Sequence, residues 1–317
     1  MIVETLTSPI ILFFGLGLLA GFVRSDLAVP EALAKGMALY LMAAIGLKGG
    51  VSVAASGFTA SLGVAATAGM ILSFLLPLPA FALLRSTGGL SRINAAAVAA
   101  HYGSVSLVTF VTAEQMLTGL GLPAAGFMVA VLALMETPAI ISGLYLARRD
   151  QSDTASGSLW HEVLFNASVV LLVGSFVIGL IAGKDGFAPI KPVFDGGYRG
   201  ILCLFLLDMG LIASRRITQT KALTLPLVAL GIAIPLLNGT IGTVAGTLIG
   251  LDVGTAAMLG ILAASASYIA VPAAMRLALP EADPGIYLSM SLGITFPFNI
   301  VFGISLFAWL AQTLGGV

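Results

Sequence analysis

The sequence predicts an all-α membrane protein of ten transmembrane helices, arranged as two inverted five-helix repeats with one broken helix in each. Three observations lead to this fold class: charge is scarce, the charge-free runs are long, and the two halves of the chain are similar. Only 14 basic and 14 acidic residues occur among 317, which is 9% of the chain, and the mean hydropathy is +1.09. Because an average soluble domain is about 25% charged, this composition excludes a water-soluble globule.

The same composition excludes several classes of function. There is no basic patch to neutralise nucleic-acid phosphates, and the apolar content is too high for a disordered chain. Two histidines and one cysteine leave no framework for disulfides or a zinc cluster. No nucleophile–His–acid spacing, HExxH sequence or phosphate-binding loop occurs. We therefore expect a protein that is not an enzyme, binds no cofactor and draws its energy from an ion gradient.

A spanning helix needs about 20 mostly apolar residues, and runs of this kind divide the chain into ten expected helices. Their expected bounds, in order, are 8–23, 33–48, 58–84, 93–112, 123–147, 163–182, 199–213, 222–249, 254–279 and 284–313. The second and seventh are less clean, because each has a basic residue at or near its start. The first has no preceding basic residue, so it is expected to remain in the protein as a helix rather than act as a signal peptide.

The basic residues fall unevenly on the two sides of these helices. Ten of the 14 lie on the side opposite the N-terminus, which is therefore predicted to be cytoplasmic, with both termini outside. The four exceptions are Lys48, Lys184, Lys191 and Arg199, and Lys48 is expected to reach the outer surface. The polar segment 148–162 then becomes a cytoplasmic linker between a first repeat, 1–147, and a second, 163–317.

The two halves of the chain resemble each other. A shift of 164 residues pairs Gly46-Leu47 with Gly210-Leu211 and the segment 99–105 with 263–269. A slightly smaller shift brings Met135–Pro138 onto Ile294–Pro297. Five helices per half is an odd number, so the second half would enter the membrane from the opposite side. Many secondary transporters have this inverted repeat and bind substrate near the membrane midplane, at broken helices.

Two segments at equivalent places in the repeat are candidates for broken helices. Residues 93–116 and 258–278 each have a centre rich in Gly and Ser, and Pro272 disfavours a continuous helix in the second. The freed N–H groups at half-helix N-termini suit a small anion, while carbonyl and hydroxyl oxygens suit a sodium ion. The alternative is that these small residues only allow helices to pack closely.

Glu136 is the acidic residue most deeply placed in an apolar run. A carboxylate at that depth is costly, so it is expected to face the bundle interior or a cavity. We interpret it as an ion ligand or a proton carrier, and the alternative is a structural glutamate held by hydrogen bonds. Its counterpart in the repeat is Thr295, again before a proline, with Asn299 one turn later.

Several blocks of the sequence resemble the sodium-dependent bicarbonate permeases of cyanobacteria and other bacteria, in the same order along the chain. These blocks are YLMAAIGLKGGVSV (Tyr40–Val53), HYGSVSLVTF (His101–Phe110), LMETPAI (Leu134–Ile140), YRGILCLFLLDMGL (Tyr198–Leu211) and the segment Ile261–Pro297. The resemblance implies a core domain and a gate domain, a homotrimer in the bacterial cytoplasmic membrane, and import of bicarbonate with sodium. It also implies a possible PII-like regulator on the cytoplasmic side.

The resemblance also suggests which residues form the sites. The positions that match the family's anion site are Gly103, Ser104, Val105, Ser106, Ser265, Ala266, Ser267, Tyr268 and Ile269. Glu136 and Thr109 match an acidic residue and a threonine of the family, and with Ser267, Thr295 and Asn299 they are the sodium-site candidates. The chain departs from the cyanobacterial type at two places: it has Ser265-Ala266-Ser267-Tyr268 where that type has a Ser-Ser-Ser-Asp run, and it has Glu136 where that type has an aspartate.

The sequence therefore predicts a sodium-coupled symporter that imports a small anion by an elevator-type movement of the core domain. Bicarbonate is the first candidate for that anion. Two other transport chemistries stay open, namely sodium–proton exchange and sodium-coupled transport of an organic anion. A non-transporting membrane scaffold or receptor is the alternative from a different class.

Overall fold

The fold is helical throughout the part of the chain that the structure, a computed structural model, describes: residues 7–57, 59–148, 167–219, 223–268 and 270–315. No strand occurs in these ranges. Seven helices there are long and apolar enough to cross a membrane, and two shorter apolar helices accompany them. The all-helical, multi-pass membrane class is thus confirmed. The predicted linker 148–162, beyond Arg148, lies outside the described residues.

Eight helices form the first half of the described chain. They are α1 (Pro9–Phe22), α2 (Glu31–Ser56), α3 (Ala60–Leu75), α4 (Pro77–Ser86), α5 (Arg92–Gly103), α6 (Leu107–Gly119), α7 (Met128–Leu134) and α8 (Glu136–Arg148). Pro77 separates α3 from α4 because it supplies no N–H and is favoured at the first position of a helix. Helix α2 was expected to end at residue 48 but continues to Ser56, since the charge of Lys48 is met by carboxylates of other elements.

The second half begins with two long helices and contains a second interruption. Its helices are α9 (Ala167–Phe187), α10 (Tyr198–Gln219), α11 (Leu225–Leu248), α12 (Val253–Ala264), α13 (Ala270–Ala278) and α14 (Pro284–Gly315). Helix α14 includes two π-helical stretches, Ser289–Thr295 and Asn299–Gly303, which the sequence analysis did not predict. They flank Pro297, which cannot donate the regular helical hydrogen bond.

The helices pack most extensively in two sets. Helix α1 packs on α10, α2 packs on α9, and α10 also contacts α2, while the other set pairs α11 with α12, α5 with α8, and α12 with the end of α14. Glycines allow the closest approaches in the first set. A Cβ added to Gly17 would lie 2.0 Å from the Leu207 carbonyl oxygen, and one added to Gly50 would lie 2.0 Å from that of Phe176. These backbones therefore touch in the way that small residues permit in membrane proteins.

Individual helices differ in how far they face outwards. Helices α1 and α9 expose large apolar side chains, including Leu19 and Ile181, the latter 80% exposed. By contrast, the most apolar 18-residue window of Arg92–Gly119, which spans α5 and α6, is 100% buried inside the protein. Irregular backbone at membrane depth is tolerated only where protein or a polar cavity surrounds it. The interruption between α5 and α6 meets this condition.

Candidate functional site

The first helix break lies between Gly103 and Leu107. Helix α5 ends at Gly103, and Ser104 and Ser106 have extended backbone conformations. The Ser106 hydroxyl caps α6, because it accepts the Thr109 N–H at 3.2 Å and the Thr109 hydroxyl at 3.0 Å. Glycine is needed at 103 for space, since an added Cβ would lie 2.3 Å from Pro77 Cγ. The break is thus held by serine capping on one side and close helix packing on the other.

The second break lies between Ala264 and α13. Ser265 donates its hydroxyl to the Leu262 carbonyl oxygen at 2.7 Å, which ties it to the last turn of α12. The Ser267 hydroxyl accepts the Val271 N–H at 3.4 Å and so reaches the first turn of α13. Ala266 is buried beside them, and Ile269, a predicted anion-site residue, lies outside the described residues. Each side of this break is therefore capped by a serine.

The two breaks touch each other. The Ser106 N–H donates to Ser265 Oγ at 3.0 Å, and the Ser267 N–H donates to the His101 carbonyl oxygen at 3.0 Å. All of these groups are buried. Two hydrogen bonds in opposite directions thus join the ends of four half-helices at one point of the protein.

Helix α14 contacts the point where the two breaks meet, which is called the crossing below. The Thr295 hydroxyl lies 2.7 Å from the Tyr102 hydroxyl and donates to the Gly231 carbonyl oxygen at 2.7 Å. The Asn299 side-chain amide donates to the Ala264 carbonyl oxygen at 2.8 Å, at the end of α12. Thr295 and Asn299, predicted together from the repeat, therefore contact the last turn of α5 and the last turn of α12 respectively.

Two residues of the site were not proposed as site residues from the sequence. The Tyr102 carbonyl oxygen accepts the Asn238 side-chain amide at 3.1 Å, so α11 also holds the end of α5. Asn238 is a polar residue in a charge-free run, which was an available signal, whereas Tyr102 resembles an ordinary packing aromatic. His101 stacks on Tyr287 with ring centroids 4.6 Å apart, and its Nδ1 lies 2.7 Å from the Ala97 carbonyl oxygen.

Several buried side-chain atoms without a hydrogen-bond partner lie at this crossing. In the described part of the chain they are His101 Nε2, Ser104 Oγ, Glu136 Oε2, Ser142 Oγ, Tyr198 OH, Asn238 Oδ1, Tyr268 OH and Asn299 Oδ1. Ser104 and Tyr268 belong to the breaks, and Asn238 and Asn299 bond to the helix ends beside them. Leaving such an atom unpaired costs about 1–3 kcal/mol, so the four unpaired atoms at the breaks indicate a place where a polar ligand completes the structure.

Backbone N–H groups are also left over at the breaks. Among the described residues, Val105, Leu107 and Val108 at the first break and Ala266 and Tyr268 at the second have no acceptor for their amide. Leu107 and Val108 form the first turn of α6, where the helix dipole adds partial positive charge. These donors and this potential are suited to a small anion.

The sodium-site candidates supply oxygen atoms, but these side chains are not bonded to one another. Among them, Glu136 Oε2 and Asn299 Oδ1 make no hydrogen bond. In the described ranges, no hydrogen bond joins any two of the five candidates, and no three His, Cys, Asp or Glu side chains group as metal ligands. Hydroxyl, amide and carboxylate oxygens are the donors that a hard cation prefers.

Comparison with known proteins identifies the family of the chain. A family model described as the Na+-dependent bicarbonate transporter superfamily matches residues 9–312, which includes both breaks and nearly the whole chain. No curated protein matches the sequence. Membership of a transporter family implies that the protein moves a substrate rather than transforms it. By the extent of this match, the chain belongs to the Na+-dependent bicarbonate transporter superfamily.

Proposed function

We propose that the protein is a sodium-coupled symporter that imports a small anion, with bicarbonate as the first candidate. One observation carries this proposal: two capped helix breaks meet inside the protein, and unpaired amide donors and unpaired buried oxygens surround their meeting point. A site with both kinds of group serves an anion and a cation together. The family supports sodium and bicarbonate as that pair.

The anion is proposed to bind across the two breaks. Its oxygens would accept hydrogen bonds from the free N–H groups of Leu107 and Val108 and from the hydroxyl of Ser104, which has no partner. The Ala266 and Tyr268 amides of the second break are free to donate from the other side. A compact anion with several oxygens can use donors from two directions, and the partial positive charge at the start of α6 favours its charge.

Sodium is proposed to bind first, to oxygens near the same crossing, and no other cofactor is needed. Glu136 Oε2 and Asn299 Oδ1 have no protein partner, and the Thr109, Ser267 and Thr295 hydroxyls lie on the breaks or on α14. The cation offsets the charge of the incoming anion and orders the half-helix ends. Coupling follows because each ion then raises the affinity of the protein for the other.

Transport also requires that the site face each side of the membrane in turn. We propose that α3 to α8 and α11 to α14 form a core domain, and that α1, α2, α9 and α10 form a gate domain. In this arrangement ten helices cross the membrane as 5+5 inverted repeats, with both termini outside, and the core moves against the gate as an elevator. The bacterial cytoplasmic membrane, the homotrimer and the PII-like regulator stay predictions from the resemblance.

Uptake of labelled bicarbonate into proteoliposomes tests the proposal. We expect uptake to rise when an inward sodium gradient is imposed and to stay at background when potassium replaces sodium. Equal uptake in both salts would overturn the sodium coupling. Competition by an organic anion that exceeds the competition by unlabelled bicarbonate would favour an organic-anion transporter, and no uptake together with no thermal stabilisation by sodium and bicarbonate would favour a scaffold or receptor.

A further inference from the structure

Four basic residues depart from the charge pattern that orients the chain, and three of them come together in the structure. Lys48, Lys184, Lys191 and Arg199 are the basic residues predicted to lie on the outer side. The three lysines line one cavity of about 660 Å³, formed by α2, the end of α9 and the turn that follows it. Arg199 does not line the cavity but is connected to Lys48 by hydrogen bonds through Gln115 and Glu114 of α6. This convergence needs a reason, because basic residues are generally scarce on the outer side.

The cavity lining has an excess of positive charge. It contains three ammonium groups and one carboxylate, that of Asp195. Lys48 Nζ lies 3.4 Å from Glu114 Oε1 and 3.4 Å from Asp195 Oδ1, and its side chain is 24% exposed. In the described part of the chain, Lys184 and Lys191 make no ion pair, and Asp185, next in the sequence, is exposed and does not line the cavity.

The location of Lys184 alone has a simpler explanation, but the cluster does not. Lys184 lies in the last turn of α9, directly after a kink at Gly183 whose backbone is not helical, and a cation near the end of that helix is favoured by the helix dipole. Lys191 lies beyond that helix, in the turn before the π-helical stretch Pro192–Gly196, and Lys48 lies inside α2. Three lysines from separate segments around one cavity therefore indicate a site for negative charge rather than three independent helix ends.

We propose that this cavity is a second anion site, separate from the helix breaks, which takes a small free oxyanion from the outer solution. The proposal rests on the proposed function, because the oxyanion belongs to the class of the transported substrate. No lining residue belongs to either break. A cleft lined by one sign of charge concentrates oppositely charged solutes and accelerates their binding at low ionic strength. The site therefore gathers substrate before it reaches the breaks.

Lys48 links this cavity to the first broken helix. Its partner Glu114 lies on α6, and Glu114 Oε2 accepts a hydrogen bond from Gln115, which in turn accepts one from Arg199 Nε at 2.7 Å. An oxyanion in the cavity competes with Glu114 for the ammonium group of Lys48. Occupation of the cavity therefore loosens the contact between α2 and α6, the helix whose first turn offers N–H groups at the break.

Lysine labelling of the purified full-length protein tests the site without relying on transport. The acylation rates of Lys184 and Lys191 are measured by mass spectrometry in millimolar sodium bicarbonate and in sodium gluconate of equal ionic strength. Lys35 is the control, because it is 72% exposed and pairs only with Glu31 of its own helix. We expect bicarbonate to slow labelling of Lys184 and Lys191 at least threefold relative to Lys35. Equal slowing at all three lysines would overturn the proposal.

Transport kinetics in uncharged-lipid proteoliposomes provide the second test. The double variant Lys184→Gln, Lys191→Gln is expected to raise the KM for bicarbonate about 3- to 10-fold at low ionic strength with kcat unchanged, and the difference is expected to shrink when choline gluconate is added. Lys35→Gln is expected to leave KM unchanged. If wild-type uptake depends on sodium but the double variant keeps its KM, this inference fails and the proposed function stands. If there is no sodium-dependent uptake, the proposed function fails. The labelling experiment then shows by itself whether the cavity binds the anion.

Discussion

The backbone N–H of Ser106 donates a hydrogen bond to the hydroxyl oxygen of Ser265, with 3.0 Å between the two atoms. The two helix breaks are therefore in direct contact, although 159 residues separate these serines in the sequence. Ser265 also donates to the Leu262 carbonyl oxygen at 2.7 Å, and Ser106 caps α6 through Thr109. One buried serine hydroxyl therefore connects the ends of helices from both halves of the chain.

Replacing Ser265 by alanine removes the acceptor of the Ser106 N–H. The variant Ser265→Ala is expected to lose about 1–3 kcal/mol of unfolding free energy, because a buried donor is left unpaired. Thermal unfolding in detergent measures the loss. The matched control is Thr240→Ala, whose exposed hydroxyl bonds only to Leu236 of its own helix. Equal melting temperatures for the two variants would show that the contact between the breaks contributes little.

Removing the charge of Glu136 is expected to abolish most of the sodium dependence of transport. Glu136→Gln keeps the size of the side chain but removes the negative charge proposed to bind sodium, so sodium stimulation of uptake should fall about tenfold or more. Glu31→Gln is the control, because Glu31 is exposed and pairs with Lys35. Uptake is compared at several sodium concentrations. Retention of the full stimulation in Glu136→Gln would remove this residue from the sodium site.

The Thr295 hydroxyl is expected to matter for both stability and sodium affinity. Thr295→Val keeps the shape but loses the hydrogen bonds to Tyr102 and Gly231, which should cost about 1–3 kcal/mol and raise the half-saturating sodium concentration several-fold. Thr295→Ser restores the hydroxyl and is expected to recover most of both properties. A valine variant with lower stability but unchanged sodium dependence would assign Thr295 a purely structural role.

Gly103 is expected to tolerate no side chain. In Gly103→Ala the added Cβ would lie 2.3 Å from Pro77 Cγ and 2.7 Å from the Ser73 carbonyl oxygen, so α4 and α5 must separate. The melting temperature should therefore fall. Gly36→Ala is the control, because nothing lies within 4 Å of its added Cβ and alanine is favoured over glycine inside a helix by about 0.5–1 kcal/mol. A Gly103→Ala protein as stable as wild type would contradict the close packing of α4 against the break.

The sequence predicted the positions of both breaks because their signals are local. Ser104 and Ser106 interrupt an apolar run directly after Gly103, and Pro272 follows the Ser265–Ser267 cluster; each acts on the backbone within a few residues. Most expected helix spans likewise lie on observed helices. The observed helix ends differ from the expected ends where a charged residue was taken as the boundary, as at Lys48.

Long-range pairings could not be read in the same way. Tyr102 and Thr295 form a hydrogen bond although 193 residues separate them in the sequence. The sequence around either residue does not indicate that the other is its partner. The partners of Lys48 were likewise not predicted: the structure places its ammonium group near the carboxylates of Glu114 and Asp195 and over the ring of Tyr198. Such partners depend on which helices pack together, which the periodicity of a single helix does not determine.

Simultaneous uptake of labelled sodium and labelled bicarbonate by purified protein in proteoliposomes tests the central claim most directly. We expect both ions to enter together in a fixed ratio, and each flux to fall to background when the other ion is absent. Sodium entry that continues without bicarbonate, or bicarbonate entry that continues when potassium replaces sodium, would contradict it.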